Sequence, residues 1–271
     1  MNNLKTAVLL AAISGLLVVI GGSMGGTSGA LIALVFAAAM NFGSYWFSAD
    51  IVLRTAHAKE IKQEQDPPLF AMIEEVAQRS DMPMPRVYVM DTPQPNAFAT
   101  GRNPEHAAVA VTTGIRQMLT ERELRGVLGH ELAHVRNRDI LTSSVVATIA
   151  SAITWLAWMG MFFGGRRDGG GGNLLAVLIA PIAATVIQLA ISRSREYQAD
   201  LDGARIVDDP EALASALQKL EMGARRAPMQ VPQSTAHLFI VNPFAGLRMN
   251  GLFSTHPPVE ERVARLRRLR R

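Results

Sequence analysis

His130-Glu131-Leu132-Ala133-His134 sets two imidazoles four residues apart with a carboxylate beside the first. On a helix that spacing puts both rings on one face, one turn apart. Two neutral imidazoles pointing the same way form two corners of a zinc tetrahedron. Glu131, adjacent to the first ligand, reaches a metal-bound water rather than the metal, which is the place of a general base in a metallopeptidase. A purely structural zinc site would not need that glutamate.

The surrounding residues predict the helix. Thr120-Glu121-Arg122-Glu123 has the form of a capping box, with Thr120 as N-cap. Leu124, Val127, Leu128, Leu132 and Val135 then recur close to helical period. Gly126 and Gly129 cost some helix propensity and thin the wall near the site.

Outward from this helix the chain is dominated by apolar blocks. It is 49% hydrophobic, only 18% charged, and has no cysteine. One block centres on Val8 to Ile20 and extends from about Thr6 to Ser23; others run from Ala30 to Phe47, Ile140 to Phe163 and Leu174 to Ile191. Each is about the length that crosses a bilayer as a helix, and none carries a charge. The first is read as one arm of a hairpin rather than a cleavable signal peptide, with Gly21 to Gly29 as the turn. Gly164 to Asn173 forms the second turn.

Basic residues set the orientation. Residues 49–142 hold eleven Lys and Arg and residues 193–271 hold thirteen, against none and two in the two turns. Arg54, Lys59, Arg136, Arg138, Arg193 and Arg195 all flank the spans on one side, which places both termini and both polar segments in the cytosol. The absence of cysteine suits that compartment. The net charge of +4 reflects basic residues beside the spans and in the tail Arg262 to Arg271, where they favour anionic headgroups. No nucleic-acid-binding motif is present, and nothing fixes the oligomeric state.

The polar segments predict a helix over Leu69 to Arg79 and a strand over Arg86 to Met90. A second short strand is expected over Asn96 to Thr100 and a third over Ala107 to Thr113. A short helix, Ile115 to Leu119, leads into the motif helix. Later helices are expected over Ser194 to about Val207, from Asp209-Pro210 to about Glu221, and from Pro257 or Pro258 onward. The last has an apolar stripe of Val259, Val263, Leu266 and Leu269, with its arginines facing away. Residues 223–254 read as irregular. The fold class is mainly α with a small β-sheet, on four membrane-spanning helices. Residues 1–48 and 140–192 form two membrane hairpins, and residues 49–139 and 193–271 combine into one catalytic domain, since neither alone holds enough apolar surface for a core.

Two histidines do not hold a catalytic zinc; a third protein ligand is required. His237, His256 and the downstream acids are candidates. Glu196 stands out, with Asp200 four residues on and on the same helical face. His57, His106 and His237 read as surface or packing residues.

The chain resembles the HtpX family of membrane-bound gluzincin metallopeptidases, relatives of the CaaX prenyl protease, over nearly its whole length. The resemblance is carried by Pro95-Asn96-Ala97-Phe98-Ala99 and by the His130 to His134 motif. It extends to Arg195-Glu196-Tyr197-Gln198-Ala199-Asp200 and to Thr255-His256-Pro257-Pro258 with Arg262. It implies one zinc on His130, His134 and Glu196, with Glu131 as the base and Asp200 orienting a histidine. It also implies that His256 and Arg262 approach the zinc and stabilise an oxyanion, and that Asn96 binds substrate backbone. Strand Ala107 to Thr113 is expected at the sheet edge, where Ala107, Ala108, Val109, Ala110 and Val111 would pair with an extended peptide. The expected function is a zinc endopeptidase of the bacterial inner membrane that cuts cytosolic regions of misfolded or damaged membrane proteins. The alternatives are a non-catalytic zinc-binding scaffold and a processing protease for lipidated peptides.

Overall fold

The structure is a computed structural model and describes residues 2–139, 193–226, 239–240 and 257–269. The expected spans Ile140 to Phe163 and Leu174 to Ile191 lie outside these residues, as do His237 and His256.

Helix α1 (Asn2–Thr55) has two arms, broken where Gly25 and Gly26 leave helical geometry. Gly26 sits at φ +61, which glycine adopts without a Cβ penalty. The expected turn of Gly21 to Gly29 is therefore tighter than its composition suggests. The arms touch: a Cβ on Gly21 would lie 2.5 Å from the Gly29 carbonyl oxygen, and Asn41 Nδ2 donates to Ser14 Oγ at 2.9 Å. Among the described residues one helix, Gly25–Thr55, is long and apolar enough to cross a membrane. Its 31 residues span about 46 Å, more than the ~30 Å of a hydrocarbon core, a length that would leave its last turns outside a bilayer.

Those turns pack on a four-stranded sheet. Strands β1 (Lys59–Glu60), β2 (Arg86–Met90), β3 (Ala97–Thr100) and β4 (Ala108–Thr112) lie in the order β1-β2-β4-β3. β4 is parallel to β2, with Arg86 opposite Ala108, and antiparallel to β3, with Phe98 opposite Ala110. Strand β4 is thus internal, and the sheet edge beside the metallopeptidase motif is β3. This corrects the expectation that Ala107 to Thr113 forms the edge. Ala108, Val109, Ala110 and Val111 spend their ladder hydrogen bonds on two neighbours, and Ala107 to Val111 are all buried, so no peptide can add to this strand. The alternation is two-faced: Val109 and Val111 enter the main core, while Ala108 and Ala110 meet Val52 and Leu53 of α1.

The other face of the sheet carries the helices. α2 (Pro67–Arg79) starts at an Asp66 cap with proline in its first turn, and the short α3 (Thr113–Met118) leads to α4 (Glu121–Arg136). α5 (Arg193–Val207), α6 (Pro210–Arg226) and α7 (Val259–Arg268) follow. α6 runs beyond the expected end near Glu221, and residues 223–226 are helical. One core joins the two polar segments: Leu128 and Leu132 of α4 belong to the same cluster as Leu213 and Leu217 of α6 and Leu266 of α7.

Helix α4 is the hub, packed against α2, α5, α6 and β3. The glycines allow this. A Cβ on Gly203 would lie 2.6 Å from the His130 backbone nitrogen, and one on Gly126 would lie 2.7 Å from that of Leu213. Gly126 thus brings α4 onto a neighbouring helix rather than thinning a wall, and Gly129 faces Gly203 in the same contact. Arg262 on α7 does not face away: it is fully buried, whereas Leu269 is exposed.

Candidate metal centre

The capping box expected at Thr120 is formed, with reciprocal bonds between Thr120 and Glu123. It fixes the start of α4 and so the phase with which His130, Glu131 and His134 face β3 and α5. His130 and Glu131 are buried and His134 is partly so. The close approach at Gly203 brings Glu196, two turns earlier on α5, over the histidines.

Ligand atoms of His130, His134 and Glu196 all lie within 4.8 Å of one another. The two Nε2 atoms are 3.2 Å apart, and the Glu196 carboxylate oxygens lie 3.8 Å from His130 Nε2 and 3.5 Å from His134 Nε2. A tetrahedral cation with bonds of about 2.0–2.1 Å has ligand–ligand edges of about 3.4 Å. The donor set therefore fits a small divalent cation.

The far sides of the rings are also fixed. His130 Nδ1 lies 3.0 Å from Asp200 Oδ1, and His134 Nδ1 lies 3.2 Å from Asp139 Oδ2. The Asp139 carboxylate holds the proton on His134 Nδ1, and Asp200 sets a negative charge beside His130 Nδ1, so that each Nε2 is left toward the centre. Sequence reasoning anticipated Asp200 but missed Asp139. The available signal was an acid five residues after His134, just past the end of α4. Asn137 caps the helix and Arg138 adopts φ +58, folding the chain so that Asp139 returns to His134.

Arg262 closes the back of the site. Its Nε and Nη2 donate to the two Asp200 oxygens at 2.8 and 2.7 Å, and Nη1 donates to the Ile240 carbonyl at 2.8 Å. Nη2 is also 3.5 Å from His130 Nε2. Three of its nitrogens thus hold Asp200 and Ile240, which is a positioning geometry. Burial would raise the Asp200 carboxyl, but this fork outweighs it and holds it well below the usual carboxylate range. Among the described residues Arg262 stands in the place expected of the C-terminal pair; His256 lies outside them.

Electrostatics separates the members. Burial pulls His130 down to about 4. Burial opposes the charged form of His134 too, but the Glu196 carboxylate and the Asp139 contact outweigh it and lift His134 to about 9. Burial pushes Glu131 up to about 7, against the pull of His134 and of one backbone donor. That donor is the Ala99 N–H on β3, 3.0 Å from Glu131 Oε2. Sequence reasoning also missed this contact, because backbone amides have no signature in side-chain spacing. Ala99 pairs with Val109 without exchanging hydrogen bonds with it, since Thr112 N donates to the Asn96 carbonyl and the bonded pairs alternate from there. The outward backbone groups of Ala97 and Ala99 therefore face the carboxylate. Asn96 is buried just before this edge. His57 and His106 are exposed and outside the His130, His134 and Glu196 group, His106 Nδ1 lying 2.7 Å from Asn103 Oδ1.

Comparison with known proteins identifies the relatives of this chain. The model of the family described as Peptidase family M48 matches residues 63–270. A protein named Protease HtpX homolog from Burkholderia thailandensis is 53% identical over 278 residues, covering 100% of this chain and 98% of its own. One of the same name from Burkholderia mallei (strain SAVP1) is 54% identical over 273 residues, covering 98% and 96%. The crystal structure of S. mikatae Ste24p superposes with a TM-score of 0.55 at 19% identity. That match covers 98% of this chain but 65% of the other, and it speaks to the fold alone.

Proposed function

Because this chain belongs to peptidase family M48 and is a membrane metalloprotease of the HtpX type, we propose that it is a zinc endopeptidase cutting cytosolic regions of misfolded or damaged membrane proteins. The observation that carries this reading is the convergence of His130, His134 and Glu196 beside Glu131, under edge strand β3.

Zinc held by His130, His134 and Glu196 would supply Lewis acidity toward the attacking water and the scissile carbonyl. Glu131 takes the water proton and delivers it to the leaving amine. Burial, which disfavours its charged form, helps this carboxyl hold the proton between the two transfers. The Ala99 N–H holds one Glu131 oxygen, which leaves the other for water. Asp200 and Asp139 fix the ring orientations, and Arg262 keeps Asp200 ionised and in place. His256 would complete the C-terminal side of the site as an oxyanion donor.

An extended peptide entering beside edge strand β3 would gain affinity through backbone groups other than the Ala99 N–H, which Glu131 occupies, with little sequence preference, which suits unfolded substrates of varied sequence. Asn96 at the head of that strand would hold substrate backbone. Basic residues flanking the apolar blocks support a multi-pass protein of the inner membrane with its catalytic domain and termini in the cytosol. Cleavage of casein by the purified chain tests the reaction. Activity should vanish with a chelator, return with zinc, and be absent in Glu131→Gln carrying a full complement of metal. Cleavage that survives complete metal removal would overturn the reading.

A further inference from the structure

Arg102 lies in the β3–β4 loop, and its guanidinium carbon stands 4.4 Å from the centre of the Trp46 ring on α1. Among the described residues no carboxylate pairs with it. The loop is braced to hold this pose. Gly101 turns at φ +143, where a Cβ would lie 2.6 Å from the His106 carbonyl oxygen. The His106 N–H donates to the Asn103 carbonyl at 3.1 Å and the Ala107 N–H to the Pro104 carbonyl at 3.4 Å.

Trp46 stands where the bilayer boundary falls on α1. No charged residue occurs between Lys5 and Asp50. Leu31, Ile32, Val35 and Phe36 are exposed along the second arm. They are followed by an exposed aromatic group in which Phe42 and Tyr45 lie 6.0 and 5.4 Å from Trp46, centre to centre. Tyrosine and tryptophan concentrate at headgroup depth, and arginine beside them keeps its charge in the polar layer. A guanidinium stacked on an indole keeps its N–H edge available for bidentate bonding to phosphate.

We propose that the β3–β4 loop is a headgroup-binding surface, in which Arg102, held against Trp46, engages the phosphate of an anionic phospholipid. The inference rests on the membrane reading of α1. It pins the end of β3 to the bilayer. Ala99, which holds Glu131, is three residues from Arg102, about 10 Å along a strand. A substrate held at the metal group is then cut close to the membrane surface.

The chain has no cysteine, so Asn103→Cys and Ile32→Cys each carry one nitroxide in the full-length protein. Both are reconstituted in nanodiscs of phosphatidylglycerol and phosphatidylcholine. The Ile32 label should relax with oxygen and ignore an aqueous nickel chelate, while the Asn103 label should report headgroup depth. Arg102→Gln should retain phosphatidylglycerol about five-fold more weakly through detergent exchange, with metal content unchanged. An Asn103 label in bulk water beside an Ile32 label in hydrocarbon overturns this inference alone; an Ile32 label in water overturns the membrane reading with it. Equal phosphatidylglycerol retention by parent and Arg102→Gln also overturns it, as does tighter binding of inorganic phosphate than of phosphatidylglycerol.

Discussion

Helix α4 carries two buried glutamates, two turns apart, that have opposite characters. Glu123, at its N-terminal end, accepts from Ser215 Oγ at 2.6 Å, from Lys219 Nζ at 2.7 Å, and from the Thr120 N–H and hydroxyl at 2.9 Å each. Burial disfavours its charge, but these donors outweigh burial and bring its carboxyl down to about 2. Glu131 is as little exposed but lies deeper in the protein, where burial disfavours its charge more; one backbone N–H, from Ala99, donates to it, and it rises to about 7. Burial alone does not make a base. Depth of burial and the number of donors together decide whether a carboxylate inside the protein is locked as an anion or left able to exchange a proton. Glu123 ties α4 to α6; Glu131 faces the edge strand and the metal group.

The strongest way to break this contrast is to replace each glutamate by glutamine. Glu131→Gln should lose at least about 10²–10⁴-fold in turnover while retaining its metal, because the amide cannot accept the water proton. Turnover measured alongside metal content decides this, and near-normal rates would remove Glu131 from the mechanism. The metal group sharpens the comparison next. Glu196→Ala should lose metal outright, whereas Asp139→Ala and Asp200→Ala should each weaken it by about 10–100-fold, since they act through the rings of His134 and His130. Competition with a chromophoric chelator reads these affinities. Equal affinity in the parent and Asp139→Ala would show that the contact with His134 does not position the ring.

Glu123→Gln should leave metal affinity unchanged and lower stability by on the order of 2 kcal/mol, since Lys219 loses its buried partner. Its pH dependence carries a sign. The folded carboxyl lies below its ordinary value, so its stabilisation is complete above pH ~4.5 and is lost as pH falls toward about 2. Acid denaturation of the parent should steepen across that window, and the steepening should be missing in Glu123→Gln. Identical acid transitions would show that Glu123 is not the group responsible.

The same contrast explains what the sequence made legible. Thr120 and Glu123 form a local motif, so the start of α4 and the facing of His130 and His134 could be read from spacing alone. Glu196 and Asp200 were legible for the same reason, one helical turn apart. Strand β4 misled because small apolar residues on both faces look alike in an edge and an internal strand; only its pairing with both β2 and β3 distinguishes them. The periodicity of α7 misled about Arg262, whose arginine neighbours are exposed; only the resemblance set it near the metal group, since its burial depends on Asp200, 62 positions away. Asp139 and the Ala99 amide were missed because one required the backbone turn at Arg138 and the other has no side-chain signal.

By itself, the sequence determined where helices and strands begin, which side chains share a face, and that His130, Glu131 and His134 belong to one chemical unit. These properties depend on interactions within one or two turns. Only the tertiary structure decided that β3 is an edge strand and that α5 crosses α4 at Gly203 to bring Glu196 onto the histidines. It alone decided that Glu131 meets one donor while Glu123 meets several. Those outcomes depend on which distant surfaces pack together, and donor count and burial exist only once they have.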